Sequence, residues 1–123
     1  MKELVPSLET CKALREAGFP QETKFFWCST GVAPAGVVLP KEKKDNSRVS
    51  FDPIAAPTAE EILRELPIPF IHEGRSLEMF IDRFHELYLV GYAYLYDDDK
   101  PYQKSLSEAA AQMYLYLKKE KLI

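Results

Sequence analysis

The sequence predicts a small α+β fold: an antiparallel sheet of four to five strands with three helices packed mainly on one face. Three observations carry that expectation. Apolar residues recur at helical spacing behind cap residues near 7–17, 58–66 and 105–119. Runs rich in aromatic and β-favouring residues lie at 24–29 and 87–96, the second alternating with period two. The 123 residues, 46% apolar and 28% charged, suit one domain with one core.

Ser7 opens the first helix. Leu8, Cys11 and Leu14 share a face, and Gly18 with Pro20 forms the stop. Lys24 to Ser29 reads as a strand. Residues 31–47 read as an irregular loop, broken by Gly31, Pro34, Gly36 and Pro40, with Val37 to Leu39 as a short edge strand. Arg48 to Phe51 alternates and is expected to pair back onto Phe25–Cys28.

Thr58 and Glu61 form a capping box ahead of Ile62, Leu63 and Leu66, and Pro67 ends that helix. Residues 77–84 fit either a helical stripe or a strand. Leu87 to Tyr96 reads as a strand with Leu87, Leu89, Ala93 and Leu95 on one face and Tyr88, Val90, Tyr92, Tyr94 and Tyr96 on the other. The leucine face is expected to meet the helices. Ser105 and Glu108 form a second capping box before Leu106, Ala110, Met113 and Leu117, and Lys118, Lys119 and Lys121 complement the dipole at the helix end.

The net charge of −3 argues against a nucleic-acid or anionic-membrane surface as the main business of the fold. Cys11 and Cys28 are too few for a disulfide scaffold, no apolar leader opens the chain, and no stretch is long enough to span a bilayer. These features read as a cytoplasmic protein with free thiols.

Leu14 to Thr23 with Phe25-Phe26-Trp27, Ile54 to Leu63, and Ala109 to Lys119 resemble, in the same order, segments of a family of small uncharacterised bacterial and phage or prophage proteins. Met113, Tyr114 and Tyr116 depart from it where more tryptophan is the pattern. The resemblance implies that 77–96 is a pair of strands and that the protein is phage-associated. It carries over no activity.

Catalytic constellations are thin. His72-Glu73 and His85-Glu86 are the only histidine–carboxylate neighbours, without zinc-ligand spacing. Asp97 to Asp99 lacks the ligand alternation of a calcium loop, and no phosphate loop follows Gly31 or Gly36. No catalytic residue, cofactor or metal is therefore assigned. The informative feature is aromatic: Trp27, Tyr88, Tyr92, Tyr94 and Tyr96 form the candidate interaction surface, since tyrosine and tryptophan supply contact area at low entropy cost. The resulting expectation is a non-catalytic module that binds an unknown protein partner or forms a homodimer. Two alternatives stand beside it: a small enzyme with a His/carboxylate site, and single-stranded nucleic-acid binding through the tyrosine-rich strand with the basic Lys41–Arg48 loop.

Overall fold

The computed structural model describes residues 4–30, 33–40, 53–93 and 102–123. Their order is α1 (Leu8–Glu16), β1 (Phe25–Thr30), β2 (Ala33–Pro40), β3 (Ile54–Ala55), α2 (Ala59–Glu65), β4 (Phe70–His72), β5 (Arg75–Leu77), β6 (Met79–Phe84), β7 (Leu87–Tyr92) and α3 (Leu106–Lys119).

The three helices form where their caps place them. Ser7 Oγ accepts from the Thr10 N–H. Thr58 and Glu61 complete the reciprocal box at α2. Ser105 Oγ accepts from the Glu108 N–H. Each hydroxyl satisfies a donor that the first turn leaves open. Helix α1 stops at Gly18, whose φ of +90° a side chain would resist. There the Phe19 N–H reaches back to the Leu14 carbonyl at 2.9 Å, closing a Schellman motif.

The strands do not form one sheet. A three-stranded sheet has the order β2-β1-β3, while β4-β5 and β6-β7 are separate antiparallel pairs. The expected continuous sheet of four to five strands is thus corrected, and sequence local to the connections supplies the reason. Pro53 and Pro57 bracket β3 and leave it two residues long, and Pro67 and Pro69 separate α2 from β4. The β4–β5 turn carries Glu73 and Gly74, both at positive φ, as a tight two-residue hairpin loop requires.

The short edge strand expected at 37–39 is longer. β2 runs from Ala33 to Pro40 and pairs along β1 from Cys28↔Val37 to Phe25↔Pro40. Pro34 and Pro40 are tolerated because an edge strand has one side free of ladder bonds. The expected pairing of Arg48–Phe51 lies outside the described residues. The other edge of β1 pairs with β3, Phe26↔Ala55 and Trp27↔Ile54. At 77–84 the chain is strand: β6 pairs with β7 from Met79↔Tyr92 to Phe84↔Leu87.

The core has two main parts. The larger gathers Ile62 and Leu66 of α2, Ala110, Met113, Tyr114 and Leu117 of α3, Val90 and Tyr92 of β7, and Phe70 and Leu77. Burying side chains of this size stabilises the fold by about 1.5–3 kcal/mol each. The second packs Val5, Cys11, Trp27, Val38, Ile54 and Ala56. Helix α1 joins the two, since Leu14 faces the first and Cys11 the second. On the opposite face of β1, Phe26 and Cys28 pack with Ala55.

Both cysteines are buried thiols, and neither is in a disulfide. Burial pushes the Cys11 thiol up to about 12.

Candidate interaction hairpin

Trp27 and Tyr92, two of the residues expected to form an aromatic surface, are buried. Trp27 is 7% exposed, packed against the N-terminal segment, with Nε1 donating to the Pro6 carbonyl at 3.0 Å. Tyr92 is 0% exposed. Its ring lies 5.2 Å from Phe70 and its hydroxyl donates to the Pro67 carbonyl at 2.7 Å. Burial pushes the phenol up to about 12. Tyr88 is half-buried against the same core, with the Arg83 guanidinium 5.6 Å from its ring centroid. Tyr94 and Tyr96 lie outside the described residues, as does the Lys41–Arg48 loop.

The face assignment of β7 is therefore reversed. Tyr88, Val90 and Tyr92 turn to the core, and Leu87 and Leu89 turn away. The alternation is as expected, but its sense is opposite. A tyrosine can be buried whole when its hydroxyl finds an acceptor, and the Pro67 carbonyl supplies one for Tyr92.

What the chain presents is the far end of the β6–β7 hairpin. The strand pattern runs from half-buried Met79 and Phe80 to exposed residues throughout 81–87. Within that stretch Ile81 is 50% exposed, Phe84 60% and Leu87 38%. Pairing places Phe80, Asp82, Phe84, Leu87 and Leu89 on the outward face, and Met79, Ile81 and Arg83 on the face shared with Tyr88, Val90 and Tyr92.

A further strand-like contact supports the hairpin from the side. Gln103 exchanges two backbone hydrogen bonds of 2.7 Å with Tyr88. Adjacent Tyr102 donates to Asp82 at 2.5 Å, and its ring stands 6.2 Å from that of Phe84. The bond to Asp82 holds the Tyr102 phenol above its ordinary range, because losing the proton would set two anions together.

The histidines are not brought together. His72 stacks on Phe70 at 5.7 Å, with Nε2 3.8 Å from Glu73, and belongs to β4. His85 is exposed at φ +57° in the β6–β7 turn, with its ring 4.4 Å from Phe84. No hydrogen bond, ion pair or ring contact joins the two. Among the described residues no group of three His, Cys, Asp or Glu could hold a metal ion.

Two open clefts flank residues 103–105. One, of about 670 Å³, is lined by Leu4, Phe25, Tyr88 and Leu106 with Lys24 and Lys104. The other, of about 580 Å³, includes Trp27, Tyr102, Glu108 and Gln112. In the second, the Glu108 carboxylate accepts from the Ser7 N–H, Thr10 Oγ1 and Gln112 Nε2. Those bonds make Glu108 a brace between helices, and sequence reading, which assigned it to a local capping box, missed that role. In the second cleft the hydroxyl that donates to the Glu108 carboxylate belongs to Thr10, which is itself buried.

No helix among the described residues is long and apolar enough to cross a membrane. The chain matches no protein-family model, no curated protein and no solved structure.

Proposed function

We propose that this protein is an association module that engages a protein partner through the β6–β7 hairpin. One observation carries the reading: residues 81–87 are all exposed, and three of them, Ile81, Phe84 and Leu87, are large and apolar. Isolated apolar residues on a surface need no explanation, but Phe84 and Leu87 are cross-strand neighbours on one face with Ile81 nearby on the other, and that concentration on one hairpin supports a contact site. The stretch also carries Asp82, Arg83 and Glu86, which supply a polar rim. The resemblance of the chain to phage and prophage proteins gives this module its proposed setting.

The test is site-specific photo-crosslinking in the cells that make the protein. A benzophenone side chain in place of Phe84 is expected to give protein adducts of discrete mass. The same group at Lys12, exposed on α1, is expected to give none, and Leu87→Asp should suppress the adducts at 84. Position 84 giving no adduct, or the same adducts as position 12, would overturn the reading.

A further inference from the structure

Resting on the hairpin as contact element, we infer that the partner is a second copy of the chain, paired edge to edge along β6 with Ile81 on the two-fold axis.

The edge comes first. In an antiparallel pair the backbone groups of alternate residues point toward and away from the partner strand. Tyr88 spends both of its groups on Gln103, so it points away from β6. The Ala93 N–H donates to the Glu78 carbonyl, so Glu78 points toward β7. Alternation from these two points turns Phe80, Asp82 and Phe84 toward β7, and Met79, Ile81 and Arg83 outward. The outward N–H and C=O groups of those three residues have no hydrogen-bond partner among the described residues.

Open edges are normally guarded by proline, lysine, a bulge or a short strand. β2, one edge of the three-stranded sheet, carries Pro34 and Pro40. β6 carries neither proline nor lysine, its pairing runs without a register shift, and its two charges, Asp82 and Arg83, are of opposite sign. Its free edge also lies where the hairpin is most exposed.

The charges then select both the register and the occupant. A two-fold axis perpendicular to the sheet keeps each side chain on its own face, so only registers two residues apart compete. Centring the axis on Asp82 sets Asp82 against Asp82, and centring it on Arg83 sets Arg83 against Arg83. Centring it on Phe80 sets Asp82 against Glu78. Like charges directly opposite destabilise a sheet. Centring it on Ile81 avoids all three clashes: Ile81 meets Ile81, Met79 meets Arg83, and Phe80 meets Asp82. In that register every outward N–H and C=O of Met79, Ile81 and Arg83 finds a partner. At one register the strand is complementary to itself in hydrogen bonding and sets no like charges opposite each other, which favours a second copy over an unrelated extended peptide.

The test combines sedimentation equilibrium with a register-specific disulfide. The wild-type chain is expected to sediment as a concentration-dependent dimer. Ile81→Lys, which places two ammonium groups on the axis, should weaken it about tenfold or more. Phe80 and Asp82 of the two copies form a non-hydrogen-bonded pair, about 4.5 Å between Cα atoms, which a disulfide spans. A mixture of Phe80→Cys and Asp82→Cys chains should therefore give a mixed disulfide dimer on mild oxidation, while neither variant alone should. A chain that stays monomeric, or a dimer that ignores Ile81→Lys and yields no mixed disulfide, overturns the inference. If it fails while position 84 still gives adducts with other proteins, the association reading stands. If those adducts are absent as well, both fall.

Discussion

The carboxylate of Glu108 accepts a hydrogen bond from Thr10 Oγ1 at 2.8 Å, across 98 residues of sequence. Its Oε1 also accepts from the backbone N–H of Ser7 at 3.1 Å. Ser7 caps α1 and Ser105 caps α3, so one carboxylate lies at the positive ends of two helices. A hydrogen bond to a charged acceptor is worth more than a neutral one, and this bond ties the first helix to the last. Thr10→Val and Glu108→Gln are each expected to destabilise the fold by about 1–2 kcal/mol. Their double mutant should cost less than the sum, which a denaturant double-mutant cycle measures. Full additivity would show that the bond is not formed in solution.

Stability is expected to fall in alkaline solution, where the carboxylates are already ionised. Burial raises Cys11 from 9.0 to about 12 and Tyr92 from 10.0 to about 12. The unfolded chain therefore releases these protons first, and it binds fewer protons than the folded chain above pH about 9. The sign follows: the contribution is full below the unfolded values and is lost as pH rises toward the folded ones. Urea midpoints measured from pH 7 to 10.5 should decline, and Cys11→Ala should remove the part of the slope that begins near pH 9. The Cys11 thiol should also resist alkylation in the native state and react once urea unfolds the chain.

Lys121 offers a stabilising substitution. It stands at φ +59° just past the end of α3, where the Leu122 N–H reaches the Leu117 carbonyl at 2.8 Å. This is the position that Gly18 fills after α1, held here by a residue with a Cβ. Lys121→Gly is expected to stabilise the protein by about 0.5–1 kcal/mol, read as a rise in Tm. Gly18→Ala should destabilise it by a comparable amount.

Trp27 is the only tryptophan, and its burial gives a direct optical check. Native emission should be blue-shifted and only weakly quenched by acrylamide. Trp27→Phe keeps an aromatic ring but removes the donor to the Pro6 carbonyl, and is expected to cost about 1–3 kcal/mol. Red-shifted, readily quenched emission would place the indole on the surface instead.

The helices were legible because their signals are local. A serine or threonine ahead of an apolar stripe needs only the next turn to act as a cap, so Ser7, Thr58 and Ser105 could be assigned without knowing what they pack against. β7 was legible as alternation, whereas the residues of β6 fitted a helical stripe and a strand alike. The reversed face of β7 was not, because both of its faces are apolar: Leu87 and Leu89 on one, Tyr88, Val90 and Tyr92 on the other. Period two separates the faces without ranking them. The ranking came from distant groups, the Phe70 ring and the Pro67 carbonyl, which accept the ring and hydroxyl of Tyr92. Tyr92 turned inward for that reason, and the exposed apolar residues of the hairpin are Ile81, Phe84 and Leu87.

By itself, the amino-acid order determined where the helices begin and end, that β1 and β7 extend, and that no recognised catalytic spacing is present. Those properties depend on neighbours a few residues apart. Tertiary structure alone decided how the strands divide into separate sheets, which face of β7 meets α3, and that Glu108 braces α1. Each of those is a choice between near-equal local options, settled by contacts between residues far apart in the chain.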